Sequence, residues 1–455
     1  MRCCLVLAIL LISTSARAEE PDPSPWIDLS PDALPSREFT TPQPIVGFRV
    51  RGKSKLTQRT LGYLAHRRIG QPVTSEDIPQ IVAALISSEL FEKVSVTLEE
   101  APGGVLVVAT LDDKQSWFVA PTFSWIAGNR AIGAGFIETN LAGYNQKLLL
   151  YGQLGDRESL FFGTYLDPSV SGSPLTYRFD LYAYRRGSNE YANPVDDPTN
   201  DEILRTSVSN YLGGGLLVGW TFKWWLVADV RLRGAYVFYT DSEAPDGTPL
   251  PAPQQDGYDI SAQTRLTLDA RKYHFGVRWG PYLQLQTDAT LPGIGDYGYQ
   301  WFLFRAYYSW RLFEEHQLEV RTNFGMGRHL PFQNESTLGA AIDLRGYEAD
   351  RFRGDVRTMF RFEYSVPITK WRLFAFRAIG FWDTGFIGFY YPRTGGDRVY
   401  FPQMARGTHW WRNDVGAGFR IYVKSVVLPL LGLDFAYGIE ARAPQLYFQI
   451  GLVDF

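Results

Sequence analysis

The larger, carboxy-terminal part of this chain alternates apolar and polar residues in short segments. Over residues 116–455 these segments are rich in Tyr, Phe, Trp and Gly, and turn and loop residues separate them. Alternation with a period of two gives a strand one apolar and one polar face. Many such strands in series, with no helical run between them, predict an antiparallel sheet closed on itself.

Composition favours a membrane barrel over a bundle of membrane helices. Helical spans are continuous apolar runs, and no apolar stretch of 18 residues occurs here. A barrel places its hydrophobic residues at every second position, which agrees with an aromatic content of 15% beside a mean hydropathy of only -0.16. At roughly 20 residues per strand and connection, residues 115–455 predict about 16 strands.

The first residues resemble a secretory leader. Met1-Arg2 is positively charged, residues 3–12 are apolar, and Ala-Arg-Ala at 16–18 is a cleavage site, so we predict a signal peptide over residues 1–18. A membrane anchor is the alternative, but about ten apolar residues are too few to span a bilayer. Both cysteines lie in this leader, so the mature protein has no disulfide.

A linker and a small domain are predicted between the leader and the barrel. Residues 19–43 contain many prolines and acidic residues without periodicity, which is typical of a flexible linker. Residues 44–114 follow a β-α-α-β-β order and predict an α+β domain near the lower size limit for one core. Ser75 is the predicted N-cap of its second helix.

The predicted barrel has connections of two kinds. Three of them are long and polar or proline-rich, and we expect these to be extracellular, with tight turns at the periplasmic side. They cover residues 188–205, 241–257 and 391–413. Tryptophans near strand ends are candidates for the aromatic girdles at the membrane interfaces: Trp220, Trp224, Trp225, Trp301, Trp310, Trp371 and Trp382.

An ordered set of motifs occupies the last third of the chain. A long connection after Gly339 contains Asp-Leu-Arg-Gly-Tyr at 343–347, which by itself is ordinary turn chemistry. Arg-Phe-Glu-Tyr-Ser-Val-Pro follows at 361–367 and Phe-Trp-Asp-Thr-Gly at 381–385. The chain then ends on a strand pattern whose last residue is Phe455.

This set resembles the BamA/TamA superfamily of outer-membrane assembly factors and two-partner secretion transporters, the bacterial surface-antigen family. Glu-Thr-Asn-Leu-Ala-Gly-Tyr at 138–144 is similar to the second barrel strand of that family and the turn after it. Residues 44–114 resemble one polypeptide-transport-associated (POTRA) domain. The resemblance therefore covers nearly the whole mature chain, as a short member with a single POTRA domain.

The resemblance implies a loop that folds back into the barrel lumen. The implied tip of that loop consists of Leu344, Arg345, Gly346 and Tyr347. Its arginine is expected to pair with Asp383, the acid of a strand that also carries Phe381 and Gly385. A carboxylate suits this role because it accepts two parallel hydrogen bonds from a guanidinium.

The resemblance also implies a strand signal at the carboxy terminus, carried by Phe448, Ile450 and Phe455. The first two share a face with Leu446 and Leu452, whereas alternation puts Phe455 on the opposite face. We therefore expect a bulge or a frayed end in this last strand.

Catalysis and cofactor binding have no motif here. The sequence contains neither a G-x-S-x-G elbow nor an H-E-x-x-H motif. Its five histidines, at positions 66, 274, 316, 329 and 409, lack ligand spacing, so we predict no metal site, no cofactor and no enzyme activity. The net charge of -3 gives no argument for nucleic acid as a partner.

The function favoured by the resemblance is an outer-membrane protein assembly or insertion factor. The expected partners are outer-membrane lipids, unfolded outer-membrane or secreted polypeptides, and periplasmic or lipoprotein accessory factors. The location is the Gram-negative outer membrane, with the POTRA-like domain in the periplasm. The alternative is a two-partner polypeptide secretion transporter, and a passive porin is a further one.

Overall fold

The computed structural model describes residues 38–450 except 89, 127–128, 193–196, 275, 292, 314, 341–342, 373, 391–410 and 424–428. The predicted signal peptide, residues 19–37 of the predicted linker, and Phe455 lie outside the described residues. The chain divides into two compact units, with the boundary between Lys114 and Gln115. No helix among the described residues is long and apolar enough to cross a membrane.

The amino-terminal unit is a small α+β domain. Its elements are β1 (Gln43–Lys53), α1 (Gln58–Leu64), β2 (Pro72–Val73), α2 (Ile78–Ser87), β3 (Phe91–Ala101) and β4 (Gly104–Asp113). The sheet order is β2-β1-β4-β3, in which β1 and β4 are parallel and the other pairs antiparallel. The β-α-α-β-β order is therefore confirmed, with the short strand β2 added between the helices.

Helical periodicity explains how this domain forms its core. Leu61 on α1 and Ile81 and Leu85 on α2 are fully buried and pack with the apolar residues of the sheet. Ser75 does not cap α2 directly, because a 3-10 turn (Ser75–Asp77) precedes that helix. The Ser75 hydroxyl instead accepts a hydrogen bond from the backbone N–H of Phe39 at 2.8 Å.

The second unit is a closed antiparallel barrel, so the predicted fold class is confirmed. Among the described residues sixteen strands form the closed cycle, and a short additional strand (Lys272–His274) pairs with the end of the strand that follows it. Its first strands are β5 (Trp117–Ile126), β6 (Asn129–Leu141), β7 (Gln146–Gly155), β8 (Glu158–Asp167), β9 (Leu175–Tyr191), β10 (Ile203–Lys223), β11 (Leu226–Glu243) and β12 (Gly257–Asp269). The next are β13 (Lys272–His274), β14 (Val277–Thr290), β15 (Gln300–Leu312), β16 (His316–Arg328), and, outside the cycle, β17 (Ser336–Leu338) and β18 (Phe352–Gly354). The last are β19 (Val356–Trp371), β20 (Phe374–Gly388), β21 (Trp411–Val423), β22 (Pro429–Gly438) and β23 (Ala443–Ile450).

The barrel has two different ends. Connections such as 142–145 and 224–225 lie at one end, which we call the turn end. The opposite end, which we call the loop end, carries the connections 192–202, 244–256 and 329–355. The predicted boundaries of all three long loops are wrong. Residues 241–243 belong to β11, residue 257 to β12 and residues 411–413 to β21. Residues 188–191 belong to β9 and residues 203–205 to β10, because both strands continue past the point where the sequence becomes polar.

The exposed aromatic residues follow the alternation of the strands. Trp220, Trp224, Trp371 and Trp382 are exposed on the outer surface, as a lipid-facing girdle requires. Trp301 is an exception to the predicted girdle. It shares a face with Leu303, which is fully buried, and packs against an inner cluster, so it faces inward.

Candidate functional site: the lumenal loop

The loop that carries the Leu-Arg-Gly-Tyr motif leaves the barrel wall through a two-stranded ribbon. Strands β17 and β18 pair over three residues and bracket the segment that we call the tip loop (residues 339–351). Within it the backbone N–H of Ala340 donates to the Tyr347 carbonyl at 2.9 Å, and that of Tyr347 donates to the Leu344 carbonyl at 3.2 Å. These bonds fold the motif into a compact turn.

Arg345 projects from this turn onto the inner wall of the barrel. Its Nε lies 2.7 Å from Asp383 Oδ2 and its Nη2 lies 3.0 Å from Asp383 Oδ1, which is a bidentate pair. Its Nη1 donates to Glu363 Oε2 at 3.1 Å and lies 3.5 Å from Asp434 Oδ2. The guanidinium also stacks 3.3 Å from the ring centroid of Phe381. The structure therefore brings together the arginine and the acid that the resemblance paired.

Burial makes these contacts obligatory for Arg345. Its side chain is 1% exposed and that of Asp383 is 0% exposed. A buried charge is costly without a partner, so removing either group leaves the other uncompensated. Burial by itself would lower the pKa of Arg345, but Asp383 and Glu363 outweigh it and raise that pKa above its ordinary value. Arg345 is therefore a cation, and its charge holds the tip of the loop against the carboxylates of the wall.

Sequence reasoning missed the charged groups around this pair. Arg361 donates to Asp383 Oδ1 at 3.1 Å and to the Asp343 carbonyl at 2.8 Å. Arg420 forms a bidentate pair with Asp434. The alternation of side chains along a strand could have indicated them. Arg361 and Glu363 are two residues apart on one strand, so their side chains lie on the same face. Asp383 and Arg361 are also direct register partners.

The other residues of the motif hold the backbone of the loop in place and carry no charge. A Cβ added to Gly346 would lie 2.5 Å from Asp414 Cβ and 2.6 Å from Gly438 Cα, so only glycine fits there. The Tyr347 hydroxyl donates to the Asn413 carbonyl at 3.2 Å and bonds to Glu440. Leu344 is fully buried in a cluster with Leu338, Phe352, Met359 and Ile387.

The predicted companions of Asp383 on β20 also contact this assembly. Phe381 packs with Ile379, Ala436 and Tyr447 as well as beneath Arg345. A Cβ on Gly385 would come within 3.1 Å of Leu338 and 3.4 Å of Leu344, so its small size lets the tip loop approach the wall.

A second set of contacts holds the other end of the tip loop. Asp350 accepts from Arg157 Nη2 at 2.9 Å and bonds to Arg186. Burial opposes ionisation of Asp350, but these two arginines outweigh it and lower its pKa to about 2. The sequence gives no local signal for this site, because Arg157 and Asp350 lie 193 residues apart.

The closing pair of strands, β5 and β23, forms what we call the seam. Among the described residues the seam has three register pairs, centred on Ser124 and Gln449. Residues 443–447 of β23 pair with β22 but have no described partner in β5. Of the predicted strand signal, Phe448 and Ile450 lie in these three pairs, and Phe455 lies outside the described residues.

The described residues contain no group of three or more His, Cys, Asp or Glu side chains that could hold a metal ion. Asp383, Glu363 and Asp434 are occupied by arginines, so their arrangement is that of a structural ion-pair network. This network can hold the tip loop against the inner wall of the barrel.

A family model matches this chain in sequence, and solved structures match it in fold. A model of the Omp85 superfamily domain matches residues 140–452. BamA from Haemophilus ducreyi lacking POTRA domains 1–3 superposes with a TM-score of 0.59 at 11% identity, over 90% of this chain and 84% of that one. CdiB from Acinetobacter baumannii gives 0.61 at 14%, over 90% and 74%. CdiB from Escherichia coli gives 0.59 at 13%, over 89% and 76%. No curated protein matches the sequence.

The family match extends over well more than half of the chain, and the solved structures share its barrel fold. The resemblance that the motifs indicated is therefore confirmed at the level of the family. A barrel of this family is an outer-membrane protein. The protein belongs to the Omp85 superfamily.

Proposed function

We propose that this protein is an outer-membrane protein assembly and insertion factor that works at its seam. The observation that carries this proposal is the short seam between β5 and β23 among the described residues. Residues 443–447 pair with β22 but with no described residue of β5. Lipid cannot satisfy the backbone groups of an unpaired strand edge, whereas an incoming strand can pair with them.

The loop end supports a route along the wall over a route through the lumen. The Tyr297 hydroxyl donates to the Gln255 carbonyl at 2.7 Å, which joins two connections. Gln333, in a third connection, accepts from the Tyr239 hydroxyl at 3.1 Å. The Gln333 contact links the connection after β16 to the more distant strand β11, and we infer that a polypeptide or solute crossing the lumen would have to displace this connection. This contact therefore counts against the secretion-transporter alternative and against a passive porin.

The amino-terminal domain supplies a second surface for an extended client. The sheet order leaves β3 (Phe91–Ala101) at an edge, with β4 as its only sheet neighbour among the described residues. An exposed strand edge binds extended peptides by β-augmentation. We propose that this POTRA-like domain lies in the periplasm and passes unfolded outer-membrane polypeptides to the barrel, together with accessory factors.

The Arg345 network has a bracing role in this proposal. Its arginine and carboxylates neutralise one another inside the wall, so they leave no general acid, base or nucleophile directed at a substrate. We therefore propose that the protein is not an enzyme and that the tip loop keeps the wall beside the seam in register.

A reversible disulfide across the seam tests the proposed function. The change combines Ser124→Cys with Gln449→Cys, two direct register partners, in a chain whose two natural cysteines, Cys3 and Cys4, lie in the predicted signal peptide. The protein is reconstituted in lipid vesicles and mixed with a urea-unfolded outer-membrane barrel, whose folding is followed by its heat-modifiable migration in gels. We expect the oxidised seam to slow client folding at least tenfold and a reductant to restore it.

A disulfide elsewhere in the wall is the matched control. Thr264→Cys with Thr287→Cys joins register partners of β12 and β14 whose hydroxyls lie 2.6 Å apart. Oxidation of this pair should leave client folding unchanged. Full activity with an oxidised seam would exclude the proposed route. In cells, depletion that lowers one secreted protein while barrel proteins stay at normal levels would favour the secretion transporter instead.

A further inference from the structure

The two ends of the tip loop attach to strands on opposite sides of the seam. Arg345 binds Asp383 on β20 and Glu363 on β19, which precede the seam in the barrel order. Asp350 binds Arg157, in the turn between β7 and β8, and Arg186 on β9, which follow the seam. A short piece of one loop therefore connects the last strands of the barrel to its first strands.

The contacts on the last-strand side extend to the seam itself. The Tyr447 hydroxyl on β23 donates to the Tyr347 carbonyl at 3.0 Å. Gly346 meets Gly438 at the end of β22 so closely that no side chain fits between them. The tip of the loop thus touches the seam strand β23 and its neighbour β22.

The contacts on the first-strand side connect several strands. Arg157 donates through Nη1 to the Ala349 carbonyl at 3.1 Å and through Nε to the Gly187 carbonyl of β9 at 2.7 Å. The Tyr191 hydroxyl, also on β9, donates to Glu348 at 3.2 Å. This side of the loop is therefore fastened to the turn after β7 and to β9 together.

The length of the connecting segment limits how far the two sides can separate. Five residue steps join Arg345 to Asp350, and a fully extended chain covers about 18 Å in five steps. In the structure the segment is shorter, because the N–H of Tyr347 bonds to Leu344 and that of Arg351 bonds to Glu348. Opening of the seam must first straighten these turns and then detach one end.

We propose that Asp350 is a second anchor of the tip loop, so that residues 345–350 form a clasp across the seam, and that the Asp350 end releases first. Relative burial points to that end. The Arg345 side chain is 1% exposed, whereas those of Arg157 and Arg186 are 10% and 25% exposed, so water reaches the Asp350 contacts more readily. This clasp deepens the proposed function, since it controls the seam on which that function depends.

Hydrogen–deuterium exchange of the full-length protein in lipid nanodiscs, without a client, tests the clasp. The change is Asp350→Asn, which keeps the shape and removes the charge. We expect the backbone amides of β5 and β23 to exchange about tenfold faster than in the wild type, because a charge-assisted anchor is lost. The amides of β10 and β11 should keep their wild-type rates.

The matched control is Asp229→Asn. Asp229 is bonded by Arg265 Nε and Nη2 at 3.0 and 2.9 Å, and the exposures of that pair, 4% and 25%, resemble those of Asp350 and Arg186. It lies on the wall away from the seam, so seam exchange should not change. The clasp would be overturned if the seam amides of Asp350→Asn exchanged at the wild-type rate. It would also be overturned if both variants accelerated seam exchange equally.

A second variant keeps the proposal falsifiable if Asp350→Asn does not assemble. Arg186→Gln removes one of the two partners and should accelerate seam exchange in the same strands, with a smaller factor than the loss of Asp350. Unchanged exchange there would also overturn the clasp. Because no client is present, failure of the clasp leaves the disulfide test of client folding unaffected, and the two proposals can fail separately.

Discussion

The seam and the wall formed by β9, β10 and β11 are built from the same kind of strand but differ in the number of described register pairs. The seam has three register pairs among the described residues, whereas β10 has seventeen with β9 and seventeen with β11. Strand lengths follow the same trend, from 10 residues in β7 and β8, nearer the seam, to 21 in β10. We call β9–β11 the far wall.

We infer from this difference that the barrel opens at the seam when it performs the proposed function. Each far-wall strand has long ladders on both sides, and in lipid every broken backbone hydrogen bond is left unsatisfied. The described part of the seam has three register pairs, and the tip loop contacts strands on both sides of it. In the proposed clasp, closure near the seam depends on side chains such as Arg345 and Asp350 as well as on the backbone, whereas closure of the far wall depends on the backbone.

The largest expected effect comes from removing Asp383. Asp383→Ala leaves Arg345 and Arg361 buried without their shared carboxylate, so we expect a loss of about 3–5 kcal/mol in the free energy of unfolding. Asp229→Ala on the opposite side of the barrel should cost less, because Arg265 is 25% exposed and remains partly hydrated. Urea titrations in lipid vesicles measure both values. Equal losses of unfolding free energy in the two variants would show that the charges beside the seam contribute no more to stability than those elsewhere in the barrel.

The next effect sharpens the comparison without any substitution. In the wild type we expect the amides of β23 to exchange with deuterium about a hundredfold faster than those in the middle of β10, because opening free energies follow the number of ladder bonds to be broken. Peptide-resolved exchange in nanodiscs measures this ratio. A ratio near one would mean that unpaired backbone at the seam is protected in another way, and the comparison would fail.

Steric fit at the tip should have a smaller effect. Gly346→Ala places a methyl group against Asp414 and Gly438, so we expect a loss of about 1–3 kcal/mol from overpacking. Gly380→Ala, on the strand that carries Asp383, is the control, because a Cβ there has no neighbour within 4 Å. That variant should stay within about 0.5 kcal/mol of the wild type. Urea midpoints of the two variants decide between tight and loose packing of the tip.

The sequence predicted those parts of the structure that depend on local pattern. Alternation in segments such as 317–325 is enough to indicate strands, because the side-chain period of a strand is two. The pairing of Arg345 with Asp383 came from the family resemblance, and it needed the order of the motifs along the chain. Neither route gives strand register, and so neither could show that Arg361 lies directly opposite Asp383.

The parts that the sequence could not predict depend on partners that are distant along the chain. Glu190 and Arg205 look like residues of a solvated loop, yet the structure buries both and pairs them 2.5 Å apart. A polar run therefore ended the predicted strands too early. Asp350 has the same difficulty, since nothing near it in the sequence indicates Arg157. Charged residues inside a barrel resemble loop residues until their partners are known.

The smallest expected effect is that of mild acid on the Asp350 end of the tip loop. Its pKa of about 2 lies below the ordinary value of 3.8, so the folded state favours the ionised form. The stability that this anchor contributes is therefore complete above about pH 4 and is lost only as the pH falls from there toward 2. We expect the difference in unfolding free energy between the wild type and Asp350→Asn to stay constant from pH 8 to pH 5 and to shrink below pH 4. Urea titrations at several pH values measure it. A difference that already falls between pH 7 and pH 5 would mean that Arg157 and Arg186 do not hold Asp350 ionised, and the first-strand end of the loop would then be weaker than its contacts indicate.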